Sequence, residues 1–337
     1  MIRLLFLSII YIVACTPSQP SDGPKVPTPP TNKIPWPAGL PVYDHIVIVV
    51  EENKNYDAII SDTTDCPYIN YLANTEANFL QMFANEHHSQ GNYFWLFSGD
   101  NQNVGFGDTI PTQTNNSNYP FTTANLGQQL IDKGLSFKGY AESLPQIGSM
   151  VPSASPYARK HVPWISFKNV PNGNTVATSS NLRFLDFPDS THYDQLPTVS
   201  FVIPDLQNDM HDGTPNMGDN WLQDKLGPYL RWAKGHNSLL IVTFDENGGH
   251  TAGLTNPFAD STHIDFIGYQ NRIVTIFAGA HIKRGQYMEG KGVTHVNILR
   301  TIESMYGLAK AGAQQKFAAA GGITDDYIIT DVFEVQK

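Results

Sequence analysis

Cysteine is nearly absent from this chain, with two in 337 residues. That scarcity excludes a small secreted scaffold held together by dense disulfides. Charge is also sparse, at 15% of residues, and basic charge is the scarcer kind. There are 21 Lys and Arg against 31 Asp and Glu, a formal charge of −10 at pH 7. A protein that coats nucleic acid concentrates Lys and Arg to neutralise phosphates, so no such partner is expected. A long apolar run is missing too. The run at the start, Leu4 to Ala14, is interrupted by Ser8 and Tyr11 and falls short of the ~20 residues needed to cross a bilayer. What is present is 41% hydrophobic and 11% aromatic residues, enough for a full core in one large domain or two small ones. Wholesale disorder is thereby excluded. Proline is unevenly spread, with eight of the 23 in the first 40 residues.

Those forty residues read as an address and a tether. Met1-Ile2-Arg3 precedes the apolar run, which is the length of a secretory signal core and ends Ile12-Val13-Ala14-Cys15. This ending resembles a bacterial lipobox, which implies that residues 1–14 are a lipoprotein signal peptide and that Cys15 becomes a lipidated N-terminus. A plain signal peptide with a chance cysteine is the alternative. Thr16, rather than Asp, follows the cysteine, which directs the expectation to an outer-membrane anchor facing periplasm or exterior. Residues 15–40 then form the lipidated cysteine and a Pro-rich linker, including Pro27-Thr28-Pro29-Pro30 and Pro35-Trp36-Pro37, which has too little apolar material to bury a core. The folded body spans 41–337. Only Arg3, Lys25, Lys33 and Asp22 are lost with the first 40 residues, so the body carries 18 basic and 30 acidic residues, a net −12. Cys66 remains alone in it and reads as a small buried side chain.

Four apolar, β-branched runs predict buried strands: His45 to Val50, Thr198 to Ile203, Ser238 to Phe244 and Ile273 to Ala278. Near-continuous apolar strands suit a parallel sheet covered on both faces. Helical spacing appears over Asn220 to Lys234 and over Val296 to Tyr306, the latter stopped by Gly307. A shorter helix over Leu126 to Lys133 leads into a strand at Phe137 to Ala141. Alternating strands and helices predict an α/β sandwich.

Three of the strands run into polar clusters. The first is followed by Glu51-Glu52-Asn53, the second by Asp205, Asn208, Asp209, His211 and Asp212, the third by Asp245-Glu246-Asn247 and His250. Ligands of open α/β sheets bind at the carboxyl ends of strands, and Asp, Glu, Asn and His converging there suit a divalent cation. A set of helix caps and surface loops is the alternative. A further segment, Asn85-Glu86-His87-His88-Ser89-Gln90-Gly91-Asn92-Tyr93, precedes the apolar Phe94-Trp95-Leu96-Phe97. Ser89 there would sit at a helix N-terminus, where free N–H groups and the dipole attract anions. A metal could activate its hydroxyl. A simple N-cap role is the competing reading.

Together these segments resemble the phosphoesterases that include bacterial and fungal acid phosphatases and non-haemolytic phospholipases C, within the alkaline-phosphatase superfamily. His45 through Asn53 is similar to the family's opening strand with its Glu-Asn pair. His87-His88-Ser89-Gln90-Gly91-Asn92-Tyr93 resembles a His-Pro-Ser-x-Pro-Asn-Tyr segment carrying the nucleophile. Tyr140 to Pro145, Arg159 to Pro163, Val202 to Gly213, Thr243 to Glu246 and Thr294 to Glu303 resemble the remaining motifs, in order.

The resemblance implies a three-layer sandwich with a mostly parallel central sheet and helices on both faces, residues 41–337 being the catalytic domain. It implies that Glu52, Asn53, Asp245 and Glu246 hold a divalent metal, with Asp209 joining them or orienting His211. The ligand types leave Ca, Mg, Mn, Zn and Fe open. Ser89 would attack phosphorus and form a phosphoserine that water cleaves. Asn92 would donate to a phosphoryl oxygen. Lys160, His161 and His211 would line the phosphate site with positive charge or a proton, and His295 would point into it.

Both prolines of the serine segment are replaced, by His88 and Gly91, which predicts a more mobile loop. Alternation along the first strand predicts that only one of Glu51 and Glu52 faces the metal. Asp212 is expected to cap the turn at Gly213. His88 and His250 have no family counterpart. The expected activity is hydrolysis of a small phosphate monoester outside the cytoplasm. The alternatives are a phospholipase C-like phosphodiesterase and, from another class, an inactive surface lipoprotein that binds. A sulfatase is disfavoured because Cys66 lacks a Pro-x-Arg context.

Overall fold

A computed structural model describes residues 34–105, 107–248, 271–287, 293–312 and 326–334. The expected signal peptide, Cys15, most of the linker and His250 lie outside the described residues. The strands are β1 (His45–Glu51), β2 (Ala77–Phe79), β3 (Met82–Phe83), β4 (Phe137–Ala141), β5 (Ser153–Ala154) and β6 (Tyr157–Ala158). They continue with β7 (Asn181–Arg183), β8 (Val199–Ile203), β9 (Ser238–Phe244), β10 (Thr275–Gly279), β11 (Gly285–Tyr287) and β12 (Val293–Thr294). The helices are α1 (Tyr56–Ile59), α2 (Pro67–Thr75), α3 (Ser89–Ser98), α4 (Leu126–Asp132), α5 (Pro215–Ala233) and α6 (His295–Tyr306).

Eight strands form one sheet in the order β11-β2-β10-β9-β1-β8-β4-β7. The block β9-β1-β8-β4-β7 is parallel throughout, so its carboxyl ends share one edge. β1 is buried along its whole length, as a strand covered on both faces must be, which is why its sequence is apolar without alternation. β10 departs from the parallel expectation and runs antiparallel to both β9 and β2. Apolar content marks a buried strand but carries no direction.

Helices cover both faces. Phe137 and Tyr140 lie three positions apart in β4 and so point to opposite sides. Phe137, with Phe201 of β8, meets Phe97 of α3 at ring-centroid distances of 5.3 and 5.7 Å. Tyr140 meets Phe187 at 5.1 Å, and the stack continues through Phe184 to Trp221 of α5. α3, α4 and α6 pack together on the first face, α2 and α5 on the second. Each buried aromatic or aliphatic side chain in these layers contributes ~1.5–3 kcal/mol. Gly139 of β4 makes the close approach possible, since a Cβ there would lie 2.2 Å from the Trp164 ring.

α5 begins five residues before the periodic stripe predicts. Thr214 caps it by accepting from Met217 N, and Pro215 occupies the first turn; both are start signals that an apolar count overlooks. α6 begins with a Thr294–Asn297 capping box and ends, as expected, at Gly307.

Candidate active site

Ser89 is the first residue of α3 and is buried. Its Oγ donates to Glu52 Oε2 at 3.0 Å and lies 3.5 Å from Glu246 Oε1. Glu52 follows β1 and Glu246 follows β9, neighbouring parallel strands, which is why residues far apart in sequence meet here. Backbone bonds fix the strand ends against each other. Asp245 N donates to Glu51 O and Glu52 N to Asp209 O, while Asn53 N donates to Asp245 Oδ1 at 2.9 Å. Tyr93, one helical turn after Ser89, donates its hydroxyl to Glu52 Oε1 at 2.6 Å. Its ring stacks on His161 at 5.0 Å and 12°. His161 Nε2 lies 3.0 Å from Glu52 Oε1, and its Nδ1 lies 3.4 Å from Asp209 Oδ2.

Burial pushes the Glu52 carboxyl well above its usual range, and the charges of Asp245 and Asp209 push it further. Burial also raises Asp209 and Asp245 to about 8 and Glu246 to about 9. Asp245 Oδ2 is buried with no hydrogen-bond partner among the described residues. Four inward carboxyls, one with an unused oxygen, are a donor set that a divalent cation would satisfy and that water-excluded protein alone does not. Among the described residues, the side chains able to ligate gather in two groups, Glu52 with His161 and Asp209, and Glu246 with His87 and His88.

The more open side carries the cations. Lys160 Nζ lies 2.8 Å from Asp108 Oδ2 and 3.3 Å from His211 Nε2. Burial opposes the Lys160 charge, but the Asp108 hydrogen bond and the charges of Glu52, Asp108 and Asp245 outweigh it, so its pKa rises. His211 Nδ1 pairs with Asp212 Oδ1 at 2.7 Å, and His211 N donates to Asp209 Oδ1 at 2.7 Å. Gln90 N, in the first turn of α3, donates to Asp108 Oδ1 at 3.1 Å.

The model of the Phosphoesterase family matches residues 61–309. The chain belongs to that family. Phosphoesterases hydrolyse phosphoric ester bonds, and this chain is such a hydrolase. It is 44% identical over 275 residues to a phosphatidylinositol-3-phosphatase of Mycobacterium tuberculosis, covering 82% of this chain and 81% of that protein. It is 30% identical to a probable acid phosphatase of Kluyveromyces lactis, covering 64% of this chain and 49% of that protein. A solved structure from the alkaline phosphatase superfamily of Vibrio parahaemolyticus superposes with TM-score 0.49 at 13% identity, covering 80% of this chain and 68% of that one.

Within this phosphoesterase, Glu52, Ser89, Lys160, His161, Asp209, His211, Asp245 and Glu246 come together, but not all as expected. His161 is fully buried, and burial with the Lys160 and His211 charges holds its pKa well below 6.5. Its ring is braced between Tyr93 and the Glu52 and Asp209 carboxyls. Asn92 is engaged by the preceding loop. Its Oδ1 accepts from Asn85 N and Glu86 N, and its Nδ2 donates to Glu86 O, so it clamps the loop before Ser89. His295 lies beneath the site, with Nε2 2.8 Å from Phe244 O and a pKa lowered by burial to about 4. It opens α6 and supports the end of β9, and its Nδ1 is buried with no hydrogen-bond partner among the described residues. Asp212 pairs with His211 instead of capping Gly213. Asn53 points its Nδ2 at Glu52 Oε2, 3.4 Å away.

Glu51 faces away from Ser89, as alternation predicts, and lies buried near Asp209, Glu142 and Asp219. The replaced prolines have a structural counterpart. A Cβ at Gly91 would lie 1.6 Å from Glu86 Oε1, so glycine is what lets the Glu86 side chain fold over the helix start. With Asn92 and with Asn271, which donates to Glu86 O at 2.7 Å, the loop is restrained by polar contacts that stand in for proline stiffness. Tyr93, His87 and Asp108 are site residues beyond the expected set. Tyr93 was legible as the i+4 neighbour of Ser89; Asp108 sits in an aperiodic stretch and had no signal.

Proposed function

We propose that this phosphoesterase is a metal-dependent phosphomonoesterase working through a phosphoserine on Ser89. The observation that carries the reading is the placement of the Ser89 hydroxyl, buried at the start of α3 between the Glu52 and Glu246 carboxylates and on the same side as Lys160. Glu52, Asp209, Asp245 and Glu246 would hold the cation, with His161 beside them; when bound it would lower the serine pKa and neutralise phosphoryl charge. The two histidine-containing groups suit zinc or iron as well as the harder magnesium, calcium and manganese.

Ser89 attacks phosphorus, its proton passing to a neighbouring carboxylate. Lys160 holds a phosphoryl oxygen. His211, partly exposed and oriented by Asp212, gives a proton to the leaving oxygen and then takes one from the water that cleaves the phosphoserine. The name of the mycobacterial relative supports a phosphorylated lipid headgroup as one substrate class. Ser89→Ala should lower turnover of p-nitrophenyl phosphate by at least ~10³-fold and abolish a phosphorylated species in acid-quenched intact mass spectra. Unchanged turnover would remove Ser89 as nucleophile. Faster hydrolysis of bis-p-nitrophenyl phosphate or phosphatidylcholine would instead favour the phospholipase C-like diesterase. The lipid anchor on Cys15 and an outer-membrane location belong to the same proposal and rest on the sequence of residues 1–40. Intact mass of the protein extracted from the envelope checks them, and an unmodified Cys15 would refute the anchor.

A further inference from the structure

The site carries an anion of its own. Asp108 lies between α3 and α4 and reaches back to the start of α3. Its Oδ1 accepts from Gln90 N at 3.1 Å and its Oδ2 lies 2.8 Å from Lys160 Nζ. These two donors are the ones a phosphoryl group at Ser89 would need. One is the N–H of the residue after the nucleophile, at the positive end of a ten-residue helix; the other is the lysine beside His211. The carboxylate therefore bridges both with its two oxygens, as two phosphoryl oxygens would. Its charge also reaches Glu246, so it adds repulsion to a pocket already lined with acids. Asp108 is partly exposed and its segment is not part of the sheet, so the carboxylate can leave without disturbing a strand.

We propose that Asp108 is a built-in competitor for the phosphoryl subsite. Substrate must displace its carboxylate from Gln90 N and Lys160, and its return helps expel inorganic phosphate. Asp108 thereby sets how tightly the enzyme holds phosphate. This inference rests on the phosphomonoesterase reading.

The test pairs kinetics with binding. Asp108→Asn keeps the size and one acceptor but removes the charge. It should lower the inhibition constant of inorganic phosphate and the KM for p-nitrophenyl phosphate together, each about tenfold, the scale of one partly exposed charge-assisted hydrogen bond. Calorimetric titration of inorganic phosphate into metal-loaded Ser89→Ala, with and without Asp108→Asn, reads the same change without turnover. Tighter phosphate binding in the double variant supports the competitor. Weaker binding would show that Asp108 positions Lys160 for phosphate, and unchanged binding would make it a bystander; either result overturns the proposal. A wild-type protein inactive on every phosphoester would sink the phosphomonoesterase reading, while the calorimetric comparison would still report on Asp108. A melting curve for each variant checks that folding is intact.

Discussion

Glu86 shows how one side chain can couple the serine loop to pH. Its carboxylate lies over Gly91 and accepts from Asn101 Nδ2 at 3.2 and 2.9 Å. Burial raises its pKa to about 7, against the lowering effect of the Asn101 hydrogen bonds. A carboxyl whose pKa is raised on folding favours the protonated folded state. Its contribution is complete below the ordinary value near 4.5 and is lost as pH rises through about 7. The loss has an upper bound of about 3 kcal/mol. Glu86→Gln should therefore match the wild type in melting temperature near pH ~4.5 and exceed it near pH ~8. A gap that stayed constant across that range would show that the Glu86 carboxyl does not titrate there.

At the level of elements, the second face depends on a cap between helices. Asp219 of α5 is fully buried, and its two carboxylate oxygens accept from Tyr68 N and Ile69 N in the first turn of α2 at 2.9 and 2.7 Å. The first N–H groups of a helix have no partner within it, so one side chain satisfies two of them and joins α2 to α5. Asp219→Ala would leave both N–H groups buried and unpaired. The expected cost is ~2 kcal/mol or more in chemical denaturation, with α2 losing hydrogen-exchange protection ahead of β1. Equal protection loss across the sheet would mean the cap does not act locally.

For the molecule as a whole, the parallel block of the sheet concentrates acid at one edge, and the folded body is acidic before that edge is counted. A cation bound by Glu52, Asp209, Asp245 and Glu246 would relieve their mutual repulsion and stabilise the folded state by mass action. At a thousandfold excess over its dissociation constant the gain is ~4 kcal/mol. Removing metal with EDTA should lower the melting temperature by several degrees and abolish phosphatase activity, with both restored by adding back the native ion. A chelated protein with unchanged melting and activity would refute the metal.

Much of this was legible in sequence because some signals are local. Apolar runs marked β1, β8 and β9, the spacing of Val296 to Tyr306 marked α6, and the polar residues at three strand ends marked where a site would form. Strand direction was not legible, and β10 runs opposite to the parallel block because pairing is decided by the path of the chain, not by hydrophobicity. The roles of particular site residues were not legible either. Asn92 and His295 carry motif residue types suited to touching substrate, yet hydrogen bonds to Glu86 and Phe244 use them as supports. Asp108 lies in a stretch with no periodicity, and only folding brings it to Lys160. The sequence by itself determined which residues could form strands, helices and ligands, since those properties depend on near neighbours. The tertiary structure decided which of them meet, because distance, burial and the choice of hydrogen-bond partner exist only once remote segments are packed together.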